Sequence, residues 1–89
     1  MTFETGTTLT HTTATAAFKA GLARIAAGAT QVDCAALTQF DSAALAVLLG
    51  WRRAAAVRGL SLQVLNLPAQ LANLAGAYGI DTLIDAPSH

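Results

Sequence analysis

Few residues in this chain have the chemistry of a catalyst or a metal ligand, and their spacing decides among them. Cys34 is the only cysteine, and the histidines are His11 and His89. Ser42 follows Asp41 directly, in Gln39-Phe40-Asp41-Ser42-Ala43-Ala44-Leu45. A nucleophilic serine needs a positioned base and a turn that exposes it, yet Asp-Ser-Ala lacks the Gly-x-Ser-x-Gly elbow. One thiol, two distant imidazoles and scattered carboxylates have no metal-ligand spacing. No Gly-Lys-Ser/Thr phosphate loop is present, so ATP hydrolysis is not expected. The expectation is a non-enzyme, with neither a metal nor another cofactor.

What remains is a corner. Gln31-Val32-Asp33-Cys34 reads as a strand, and after a short loop Asp41-Ser42 opens a long Ala/Leu helix ending near Arg58-Gly59. That order sets one hydroxyl and one carboxylate at the positive end of a helix dipole. Three roles stay open for Ser42. Its hydroxyl can cap the helix by accepting a backbone N–H. It can be a phosphosite, gaining ~0.3–1 kcal/mol from the dipole against repulsion from Asp41. It can also offer a compact polar contact to a partner. A helix N-terminus used as an anion pocket for a small ligand is a further, weaker reading.

The flanking elements alternate. Phe3-Glu4-Thr5 and Thr8-Leu9-Thr10 surround Gly6-Thr7, which predicts a Thr-rich hairpin at a sheet edge. Thr12 or Thr13 caps a helix running to about Ala27, with Ala17, Phe18, Gly21, Leu22 and Ile25 inside and Gly28 as the stop. Leu60-Ser61-Leu62-Gln63-Val64-Leu65 reads as a strand beside the sheet centre. Asn66-Leu67-Pro68 starts another helix, along which Leu71, Leu74, Ala75 and Tyr78 recur, and Gly79 ends it. Tyr78 is expected in the core with a wet hydroxyl. Ile80 to Ile84 can add a last strand before a short tail. The order β-β-α-β-α-β-α-β predicts one α/β domain over residues 1–89: a four- to five-stranded mixed sheet, parallel at its centre, with about three helices.

The helix after Ser42 divides into two faces at about 100° per residue. With Leu48 as the inner centre, Ala44, Leu45, Leu49, Trp51 and Ala55 fall inside. Ala43, Ala46, Gly50, Arg53 and Val57 fall outside, a smooth stripe that a partner helix can approach closely. Arg52 lies near the inner face and is expected to snorkel along the helix end. Composition favours such a partner: 54% of residues are hydrophobic, only 11% are charged, and the net charge is zero. Five cations give no footprint for nucleic acid. No apolar run approaches the ~20 residues of a bilayer span, and the first residues do not read as a secretory signal, so a cytoplasmic protein without direct membrane insertion is expected. Cys34, at the end of an apolar strand, reads as a small buried thiol.

Val32-Asp33-Cys34, then Phe40-Asp41-Ser42-Ala43-Ala44-Leu45 with Leu48-Leu49-Gly50, then Leu62-Gln63-Val64-Leu65-Asn66 resemble the STAS domain of anti-sigma factor antagonists. Trp51-Arg52-Arg53 and the closing stretch Asn66-Leu67-Pro68, Leu71, Leu74-Ala75, Tyr78-Gly79 and Leu83 look more like the MlaB branch. The resemblance covers about residues 30 to 85. It implies a small cytoplasmic subunit that grips the ATPase of the Mla phospholipid ABC transporter, peripheral to the inner membrane through that complex. It also implies that the partner meets the hydroxyl corner and its helix; with the outer stripe read from helical geometry, the expected contact residues are Asp41, Ser42, Ala43, Ala46, Gly50 and Arg53. The alternative it implies is an anti-sigma factor antagonist switched by phosphorylation of Ser42. STAS antagonists usually carry glycine two residues after the hydroxyl residue; Ala44 here firms the helix start, which favours constitutive docking.

Overall fold

The computed structural model describes residues 2–79. In chain order the elements are β1 (Thr2–Glu4), β2 (Thr8–Leu9), α1 (Ala14–Ala26), β3 (Gln31–Asp33), β4 (Gln39–Phe40), α2 (Ser42–Val57), β5 (Gln63–Leu65) and α3 (Ala69–Ala77). The helices begin where capping and proline signals placed them. The strand last expected over residues 80–84 lies outside the described residues.

Strands β1, β3 and β5 form one parallel sheet in the order β1-β3-β5, while β2 and β4 pair separately, also in parallel. This replaces the single mixed sheet: among the described residues, five strands divide three and two with no antiparallel pair. The register lines up Phe3, Val32 and Val64, all buried, in one row. The row before it is polar, with Thr2 Oγ1 donating to Gln31 Oε1 at 2.7 Å and Gln31 Nε2 to Gln63 Oε1 at 3.0 Å. Period-two alternation thus turns one row toward the core and its neighbours away.

The expected hairpin does not form. The Thr5 N–H bonds the Asp33 carbonyl at 3.2 Å, and the Thr7 carbonyl accepts from the N–H groups of Thr38 and Gln39 at 2.9 and 3.0 Å. Each N-terminal strand therefore finds a distant parallel partner. Both Phe3 and Leu9 become buried in that arrangement, and core burial outweighs the local preference for a turn.

Helices α1 and α2 lock through Trp51. Its indole N–H donates to the Phe18 carbonyl at 3.0 Å, and the Phe3 ring meets it edge-on, 5.1 Å between centroids at 79°. The indole lies against the backbone of Gly21, where a Cβ would collide with it. Trp51, Leu9, Ile25, Leu48, Leu71, Val32 and Cys34 are the largest fully buried side chains. Tyr78 departs from expectation: it follows α3 and is 59% exposed, whereas Leu71 and Ala75 fill the inner face of that helix.

Candidate functional site

Asp41, not Ser42, caps α2. Its backbone is extended (φ −136°, ψ −165°), and Oδ1 accepts the Ala43 N–H at 2.8 Å. A carboxylate one residue before the helix reaches the second amide of the first turn, as an N-cap must, whereas Ser42 already has helical geometry. The Ser42 side chain is exposed. Its hydroxyl is thus left available to a partner.

The other oxygen of Asp41 reaches across the fold. Oδ2 accepts the His11 backbone N–H at 3.1 Å and lies 2.9 Å from His11 Nδ1. The hydrogen bond from the His11 side chain, then that from its backbone, hold the Asp41 carboxyl below its ordinary range. Both of these His11 contacts go to Asp41, and among the described residues no hydrogen bond joins His11 to the Ser42 hydroxyl.

Beside this corner an apolar groove of about 300 Å³ opens between α1 and α2. Ala14, Thr15 and Phe18 form one wall; Ala43, Ala46, Val47 and Gly50 form the other. Ala46 is exposed and Ala43 half-buried, in keeping with the outer stripe, and Arg53 and Val57 continue it in the open, Val57 at 88% exposure. Gly50 is the correction. A Cβ there would sit 2.6 Å from Cε1 of Phe18, so Gly50 faces the ring of α1 and not open solvent. Crowding arises because α1 packs against the flank of α2 that also carries buried Val47, a neighbour that no single-helix projection includes.

A family model described as "Mlab, STAS domain" matches residues 5–85. The chain belongs to the STAS domain family, in its MlaB-like form. No curated protein and no solved structure gives a match.

In this STAS domain the other reactive groups are tied into structure. Burial, with the Asp33 charge adding to it, pushes the Cys34 thiol up to about 12, leaving it protonated and inert at neutral pH. Asp33 Oδ1 accepts from Asn66 Nδ2 at 3.0 Å and the Ala35 N–H at 2.8 Å, which together lower its pKa and bind the ends of β3 and β5. Asn66 adopts φ +57°, a left-handed conformation that asparagine tolerates. Among the described residues no three His, Cys, Asp or Glu side chains gather as a metal site, and no helix is long and apolar enough to cross a membrane. Sequence reasoning missed His11, Thr15 and Phe18. The Phe18 signal was its place on the inner stripe of α1; His11 carried none.

Proposed function

We propose that this STAS domain is a non-catalytic docking subunit that binds the ATPase subunit of an Mla-type phospholipid ABC transporter. The supporting observation is the juxtaposition of an exposed Ser42 hydroxyl with an open apolar groove on the same helix. Asp41, Ser42, Ala43, Ala46, Gly50 and Arg53 contribute the contact from α2, and Phe18 backs it from α1. An aliphatic side chain from the partner, seated between the helices, would gain about 1.5–3 kcal/mol by burial. The Ser42 hydroxyl supplies direction, since a mismatched partner leaves a polar group unsatisfied. Binding holds the ATPase in a working arrangement at the cytoplasmic side of the inner membrane, in the service of outer-membrane lipid asymmetry. The subunit itself hydrolyses no nucleotide and inserts into no membrane.

The test is direct mixing of the purified domain with the host's Mla-type ATPase subunit. Co-elution as one complex in size-exclusion chromatography is expected; separate elution at micromolar concentrations overturns the proposal. A second reading, the phosphorylation switch at Ser42, draws support from the His11–Asp41 pair, because the hydrogen bonds from His11 to Asp41 Oδ2 offset part of the carboxylate charge that a phosphate on Ser42 would meet. Phosphate on Ser42 in protein isolated from its host decides for that reading.

A further inference from the structure

The groove has two walls on different helices, and something must hold their N-terminal ends at a fixed separation. Core packing does this at the far end, where Trp51 joins Phe18. At the near end lie Ala14, the first residue of α1, and Ala43, the second of α2. Residues 10–13 lead into α1 and Asp41 leads into α2. Those two lead-in segments are joined at Asp41: one oxygen caps the second amide of α2 and the other takes two bonds from His11. Thr13 Oγ1 accepts the Thr10 N–H at 2.9 Å and donates to the Thr10 carbonyl at 3.2 Å, so the segment bearing His11 is itself braced.

The His11 ring fills no core volume: its side chain is 80% exposed, against 38% for Asp41. Other charged groups on the elements meeting here stand apart. Lys19 and Arg24 lie more than a turn into α1, Arg52 and Arg53 near the far end of α2, and β2 and β4 carry none.

We propose that His11 is a positioning residue for the docking surface: by clamping Asp41 it ties the start of α1 to the start of α2 and sets the width of the groove's mouth. It acts through Asp41 without touching the partner. The inference rests on the docking function proposed above. An asparagine at this position should preserve the clamp, because its amide nitrogen is as many bonds from Cα as the imidazole Nδ1, and the backbone N–H remains.

The test compares wild type, His11→Ala and His11→Asn in two measurements. The first is the 13C-1H spectrum of the alanine methyls of Ala14, Ala43 and Ala46 in the free domain. The second is affinity for the host's Mla-type ATPase subunit by calorimetry. His11→Ala is expected to shift those three methyl resonances, leave the thermal midpoint nearly unchanged, and weaken binding by about two- to fivefold, the scale of one exposed pair. His11→Asn is expected to restore both shifts and affinity. Unchanged methyl shifts in His11→Ala overturn the clamp, even with weakened binding, because His11 would then be a direct contact. Wild-type affinity in His11→Ala, or no rescue by asparagine, also overturns it. A wild-type domain that fails to bind ends the docking function and this proposal with it, an outcome separate from a failure of the clamp alone.

Discussion

Phe18 and Gly50 face each other across the gap between α1 and α2 so closely that no Cβ fits at position 50 without moving the ring. The aromatic ring thereby becomes part of the α1 wall of the groove, opposite the wall formed by the smooth residues of α2. A glycine in mid-helix costs about 1 kcal/mol against alanine. Here that cost accompanies close helix approach.

Position 50 should therefore behave differently from position 46. Ala46→Glu places its charge on an exposed stretch of helix and should change stability by no more than about 0.5 kcal/mol. Gly50→Glu drives a side chain into Phe18 and should destabilise by about 1–3 kcal/mol through overpacking. Urea unfolding followed by Trp51 fluorescence measures both.

Trp51 is the hinge pin of the two helices. Trp51→Phe removes the bond to the Phe18 carbonyl and leaves a void beside Gly21. The expected loss is about 1–3 kcal/mol, combining the lost indole hydrogen bond with a partial cavity, while the Phe18 carbonyl keeps its partner within α1. Since Trp51 is the only tryptophan, far-ultraviolet circular dichroism must follow this variant.

Acid should loosen the corner first. The Asp41 carboxyl titrates below its ordinary range in the fold and at about 3.9 when unfolded. The unfolded chain then binds the proton more readily, so stability rises with pH through this window. The contribution is present above the unfolded value and is lost as pH falls through the folded one. Asp33, also lowered, adds in the same direction. In Asp41→Asn, which keeps a capping oxygen without the titration, the acid limb of the stability–pH curve should flatten.

Cys34 gives an alkaline counterpart. Its thiol titrates near 12 in the fold against an ordinary value of 9.0, so the native state keeps a proton that the unfolded chain releases. Stability should fall as pH rises past about 9. At neutral pH iodoacetamide should label Cys34 only through opening of the fold, at a rate that urea accelerates; fast labelling of native protein would contradict its burial.

Much of the fold could be read from local signals, and the misses share a cause. Gly28 after α1, Asp41-Ser42 before α2 and Pro68 before α3 act within a turn of themselves, and those helix ends stand as read. Strand partners do not act locally. Phe3-Glu4-Thr5 and Thr8-Leu9-Thr10 satisfy a hairpin pattern as well as they satisfy parallel pairing with residues some thirty positions away. The two-residue strand Gln39–Phe40 is too short to show a period. At the site, the outer stripe of α2 came from helical geometry alone, and of its residues Ala46 and Arg53 are exposed and Ala43 is half-buried. Gly50 needed knowledge of α1, and His11 needed the fold of the whole chain. Asp41 and Ser42 were singled out together, but which one caps depends on a single residue of helix phase.

That phase has a consequence for Ser42. Because Asp41 caps, Ser42→Ala should leave stability within about 0.5 kcal/mol of wild type while weakening ATPase binding by roughly 0.5–1.5 kcal/mol, the net value of one hydrogen bond. Ser42→Asp should weaken it further by adding charge at a packed contact. A phosphoswitch predicts the reverse, with Ser42→Ala locked onto its partner. Calorimetric titration of both variants separates the two.

Co-purification of the host's Mla-type ATPase subunit with tagged wild-type and Ala46→Glu domains, each shown folded by circular dichroism, tests the docking surface most directly. Wild type should retain the ATPase in stoichiometric amount and the folded Ala46→Glu variant should lose it. Equal recovery with both domains would place the interface elsewhere and contradict the account.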